Sequence, residues 1–163
     1  MLGCLAPQIA LSQEPSDFFY GGEIGLAFGD VGYVEISPMV GMYLSEDLSA
    51  GVSATYRWRS DSRTNPKRNT EDYGATVFTR FHISETTHLQ AEYEYMDYEI
   101  YNHLTMTSER RQLSSFLAGA GISQPIGQRS YTYATVLYNF SYDENDSLYS
   151  DPIVYRIGIS VGF

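Results

Sequence analysis

The sequence predicts an all-β fold, an eight-stranded antiparallel up-and-down transmembrane β-barrel, and three observations carry that prediction. From Phe18 onward apolar and polar residues alternate with a period of two nearly everywhere, the mark of strands whose faces meet different surroundings. The alternating segments run to about ten or eleven residues, the length that crosses a hydrocarbon layer when tilted. The connections alternate short and long, the pattern of a barrel with tight turns at one end and loops at the other.

Each segment sorts into a large apolar face and a small or charged one. The first sets Phe18, Tyr20, Ile24, Leu26 and Phe28 against Phe19, Gly21, Glu23, Gly25 and Ala27; the second sets Val34, Ile36, Val40 and Met42 against Glu35, Ser37, Met39 and Gly41. The third opposes Val52, Ala54, Tyr56 and Trp58 to Ser53, Thr55, Arg57 and Arg59. In the fourth Tyr73, Val77, Phe81 and Ile83 face away from Gly74, Thr76, Arg80 and His82, and in the fifth Leu89, Ala91, Tyr93 and Tyr95 face away from Gln90, Glu92 and Glu94. Residues 110–123 and 131–142 continue the series with a weaker phase. The closing strand places Ile153, Tyr155, Ile157, Ile159, Val161 and Phe163 opposite Val154, Arg156, Gly158, Ser160 and Gly162. Residues 45–48, 84–87 and 125–127 are the short turns, and 61–72, 99–109 and 143–152 are read as long polar loops. The first connection, 29–32, is short and departs from the alternation.

Composition bounds the rest. A chain of 163 residues makes one domain, assigned to residues 13–163. Residues 1–12 carry no charge and end near a small-x-small site at Ala10-Leu11-Ser12, so they are expected to be the remnant of a secretory signal peptide whose basic start is missing. A mean hydropathy of -0.27 and the lack of an apolar run near 18 residues exclude a helical span. The net charge of -10 leaves no basic face for nucleic acid. One cysteine, Cys4, provides neither a disulfide framework nor a thiolate metal site.

Which face meets hydrocarbon follows from space. Eight strands enclose an interior just wide enough for side chains. Isoleucine, phenylalanine, tyrosine and tryptophan at several positions per strand overfill it, whereas glycine, serine and a limited charged set fit. The apolar face is therefore placed toward lipid and the charges within; a soluble, lipocalin-like binder of an apolar ligand would reverse the two. Charges in a narrow lumen must pair, because an unpaired one costs several kcal/mol. A hairpin about Glu46-Asp47 sets Glu35 opposite Arg57, one about Thr86 sets Arg80 opposite Glu92, and barrel closure brings Glu23 and Arg156 to comparable depth. Aromatics near the segment ends, among them Phe18, Phe19, Tyr20, Trp58, Tyr131, Tyr133 and Tyr138, are expected to form interfacial girdles. A lumen filled in this way conducts poorly.

The closing IVYRIGISVGF, with its terminal Phe163 and the inward Glu and Arg set, resembles the small outer-membrane β-barrel family of the OmpA transmembrane-domain or OmpX type. The resemblance implies residence in the outer membrane of a Gram-negative bacterium, with membrane lipid and lipopolysaccharide as surroundings and the barrel-assembly machinery as a partner during insertion. It also implies that Tyr155, Ile157, Ile159, Val161 and Phe163 form the signal that this machinery reads. It names no specific activity and no protein ligand for the loops.

Catalytic and metal motifs are sparse. His82, His88 and His103 form no HExxH, and neither G-x-S-x-G nor a phosphate loop is present. His82-Ile83-Ser84, followed by Glu92 and Glu94, resembles the His-x-Ser plus Glu of lipid A deacylase barrels, where a serine is activated by a histidine oriented by a carboxylate. Here Ser84 falls in a short turn, away from the lipid A leaflet, and the glutamates face the lumen. The acidic stretch DENDSLYSD lacks the glycine and terminal glutamate of a calcium loop. The expectation is a non-enzymatic barrel without cofactor or metal, structural or engaged in surface interactions through its loops.

Overall fold

The computed structural model describes residues 17–27, 31–61, 68–102, 107–128, 130–143, 149 and 151–162. Residues 1–12, expected from sequence to be a signal remnant, Phe163 and much of the acidic stretch lie outside these residues. Eight strands follow one another: β1 (Phe18–Ala27), β2 (Val31–Tyr43), β3 (Leu48–Asp61), β4 (Arg68–Ser84), β5 (Thr87–Asn102), β6 (Thr107–Pro125), β7 (Ser130–Asn139) and β8 (Ile153–Gly162). Each pairs antiparallel with the next, and β8 returns to β1 from Phe19↔Gly162 to Ile24↔Ile157, so the sheet closes into an up-and-down barrel.

The polarity is inside out. Ile157 and Tyr155 are each 63% exposed and Val77 56%, while Glu35 and Arg57 are 0% exposed. A soluble ligand-binding barrel has the opposite arrangement, and the outward aliphatic surface is that of a membrane-spanning one.

Strand length departs from the expected ten or eleven residues in the middle of the chain. β4, β5 and β6 have 17, 16 and 19 residues. Residues 68–72, 99–102 and 107–109, read from sequence as loop, pair as strand. Both alternate faces of these segments carry mainly polar residues, so the apolar-polar alternation that reveals a strand disappears.

Two aromatics assigned to the girdles lie in the lumen instead. Phe19 is 2% and Tyr133 3% exposed, and both point inward. Glycines opposite make the room: a Cβ on Gly41 would strike the Phe19 ring, and one on Gly158 would strike that of Tyr133. Tyr20 and Tyr138 do stand outward, as a girdle requires.

Candidate functional site

The lumen holds the most concentrated chemistry in the molecule, and strand parity builds it. Glu23 of β1, Glu35 of β2, Arg57 of β3, Arg80 of β4, Glu92 and Glu94 of β5 and Arg156 of β8 all fall on inward positions and are buried. At the centre Arg57 lies opposite Glu35 in the β2–β3 register and donates to Oε2 from Nε at 2.8 Å and Nη2 at 2.5 Å. Arg156 Nη1 donates to the other oxygen of Glu35. Its Nη2 reaches Glu94 at 2.7 Å and Glu92 at 3.5 Å, and its Nε lies 3.9 Å from Glu23. Arg156 thus gathers carboxylates from β1, β2 and β5, clamping opposite walls of the barrel together.

Tyr149, from the β7–β8 connection, enters this cluster. Its hydroxyl donates to Glu94 Oε1 at 2.7 Å and accepts from Arg57 Nη2 at 3.1 Å. The Arg57 guanidinium lies over the rings of both Tyr33 (4.5 Å) and Tyr149 (5.0 Å). Nearer the short turns Tyr133 donates to Glu23 at 2.8 Å, and the Arg80 guanidinium lies 3.9 Å over the Tyr133 ring. His88, fully buried, is held by Ser123 and Thr135, each at 2.9 Å. Toward the loop end Arg59 donates to Asp72 at 3.2 Å and to the Glu99 carbonyl at 2.7 Å.

Of the expected pairings, Arg80 with Glu92 needs correction. Arg80 lies opposite Gln90 and donates to its Oε1 at 2.9 Å, while Glu92 lies opposite Phe78. The cause is the β4–β5 turn: Ser84 pairs with Thr87, and a bulge between His82 and Ser84 shifts every pair above it. Gln90 bridges the two expected partners, donating to Glu92 at 2.5 Å. Glu23 and Arg156 do share the lumen, at 3.9 Å, but Arg156 makes shorter contacts to Glu35 and Glu94.

The remaining sequence-selected residues are dispersed. Tyr155, Ile157 and Ile159 form an outward ridge on β8; Val161 is half-buried between Tyr20 and Ser130, and Phe163 lies outside the described residues. Ser84 is exposed in its turn and accepts the Thr86 N–H at 3.4 Å, whereas the His82 ring lies beside His88 at 5.9 Å. The deacylase-like trio is not assembled. Among the described residues no group of three or more His, Cys, Asp or Glu is disposed to hold a metal ion. Sequence reasoning missed Tyr149, which carries no strand period, and Asp72, which was read as loop. Glu94 was legible by parity alone.

The model of the Omp85 superfamily domain matches residues 31–153. The chain belongs to the Omp85 superfamily. Among curated proteins none matches its sequence. Of solved structures, the N-terminal β-barrel domain of Pseudomonas aeruginosa OprF is similar to this Omp85-superfamily chain with a TM-score of 0.61 and 12% identity, over 92% of this chain and all of that one. That likeness shows the fold, an eight-stranded barrel of outer-membrane type. Yersinia pestis Ail, solved in a phospholipid bilayer nanodisc, superposes with a TM-score of 0.49 at 14% identity over 92% of this chain and all of Ail.

Proposed function

We propose that the protein is an integral outer-membrane β-barrel of a Gram-negative bacterium with a sealed lumen, serving a structural or surface-interaction role through its loop end. The observation that carries the reading is the inversion of polarity: isoleucines stand outward while Glu35, Arg57 and Arg156 neutralise one another where solvent does not reach. In this reading the buried ion pairs plug the barrel, and kinship to the OmpA or OmpX type is one of architecture. The ridge of Tyr155, Ile157, Ile159, Val161 and Phe163 would be the segment that the assembly machinery reads, with membrane lipid and lipopolysaccharide against the outer band and residues 1–12 the end of an export signal. No enzymatic role is proposed; Ser84 is hydrogen-bonded within its turn and the His82 ring lies against His88.

The test is reconstitution into phospholipid vesicles. The protein is expected to need detergent for release, to show heat-modifiable gel mobility, and to leave the vesicles impermeable to small sugars. Release by salt or alkali alone, or rapid sugar-driven swelling, would overturn the reading.

A further inference from the structure

Three arginines of the lumen each hold a carboxylate within hydrogen-bond reach: Arg57 holds Glu35 at 2.5 Å, Arg59 holds Asp72 at 3.2 Å and Arg156 holds Glu94 at 2.7 Å. Arg80 is buried as well, yet it holds none. Its Nε is spent on the neutral Gln90, and its guanidinium rests on the Tyr133 ring. The Nη2 atom lies 3.8 Å from Glu23 Oε1, an oxygen that already accepts the Tyr133 hydroxyl at 2.8 Å. This Nη2 is buried and finds no hydrogen-bond partner among the described residues. A buried donor left without an acceptor is costly, and a charged one more so.

Arg80 opens onto a cavity at the short-turn mouth of the barrel, and strand parity assembles its wall. Ser49 lies opposite Arg80 in the β3–β4 register and Ser160 opposite Tyr131 in the β7–β8 register, with His82 and Ser123 on the remaining sides. Ser49, Ser123 and Ser160 are buried, so the site is recessed within the mouth. No aspartate or glutamate lines it among the described residues. The space open to the centre of a water-sized body is about 10 Å³, room for one such body.

The chemistry of the wall selects the occupant. Guanidinium N–H and serine O–H groups can all donate inward, although Ser123 is shared with His88 Nδ1 at 2.9 Å. The guanidinium also brings a positive charge with no carboxylate bound to it, and a water molecule offers no charge in return. Polyatomic anions such as sulfate exceed the space. We propose that the Arg80 cavity binds one monatomic anion, chloride or a like halide, against Arg80 Nη2 and the hydroxyls of the serine wall. The ion supplies the charge partner that Glu23 does not, and it closes the mouth beside the buried cluster of Phe19, Phe78 and Tyr133.

Two measurements on the full chain test this, with bromide as the probe. In crystals of the detergent-solubilised protein grown in sodium bromide, anomalous scattering is expected to show one peak in the cavity beside Arg80 Nη2. The second measurement is urea unfolding in phosphatidylcholine vesicles, with gluconate replaced by bromide at fixed ionic strength. The folded-to-unfolded ratio is expected to rise by about threefold more in the natural chain than in Ser160→Val, whose methyl groups fill the cavity; about threefold is the response to bromide at twice its dissociation constant. Comparing the two chains cancels the general effect of the salt on unfolding. Arg80→Gln keeps a donor but removes the charge, and it is expected to lose the bromide response too, which decides the point if Ser160→Val fails to fold. A cavity without an anomalous peak holds water at most and overturns the proposal. A peak accompanied by equal bromide responses in the natural and variant chains marks an adventitious ion only and overturns it as well.

Discussion

Arg57 and Glu35 face each other across one register pair of β3 and β2, and their side chains share two hydrogen bonds at a depth where neither is exposed. Removing one member leaves the other charged and buried. Arg57→Ala is therefore expected to destabilise the barrel by about 3–5 kcal/mol, and the double change Glu35→Gln with Arg57→Gln by less than the sum of the singles. Urea-induced unfolding in lipid vesicles, followed by gel mobility, measures both.

Tyr149 ties a connection to the wall through Glu94 and Arg57. Tyr149→Phe removes only the hydroxyl, so the expected loss is about 1–3 kcal/mol, the cost of buried charged groups left short of one hydrogen bond. Tyr155→Phe, on the outward ridge, should change stability by no more than about 0.5 kcal/mol. Equal effects at the two positions would contradict the placement of Tyr149.

Gly41 and Phe19 share one slice of the lumen, and a side chain at position 41 would meet the ring. Gly41→Ala is expected to cost about 1–3 kcal/mol through overpacking. Adding Phe19→Leu to it should restore part of the loss. Thermal unfolding of the single and double variants decides the point.

These residues also show what the sequence makes legible. The period of two placed Glu23, Glu35, Arg57, Arg80, Glu92, Glu94 and Arg156 on the inner face because lipid on one side and a narrow lumen on the other impose opposite demands on alternate residues. The Glu35–Arg57 pair was readable because the β2–β3 turn preserves register. The contact expected between Arg80 and Glu92 was not, because a bulge beside Ile83 moves every later pair and nothing in His82-Ile83-Ser84 announces it. Asp72 escaped notice because residues 68–72 are polar on both faces of β4. Tyr149 escaped because a residue in a connection has no periodicity to reveal which way it points.

Depth in the membrane supplies another check. Ile157 stands outward on β8, 63% exposed. Ile157→Arg should cost about 2–4 kcal/mol if this position lies near the bilayer centre, and refolding titrations into vesicles read that loss directly.

The central claim, that alternate residues of one strand meet hydrocarbon and a sealed polar lumen, is tested most directly by a nitroxide scan of residues 153–161 in a Cys4→Ser background, one cysteine at a time, in phospholipid vesicles. Collision with oxygen, which concentrates in the bilayer, is predicted to peak at 153, 155, 157 and 159 and to fall at 154, 156, 158 and 160. Peaks at the even-numbered positions, or free access of a water-soluble relaxation agent to position 157, would contradict it.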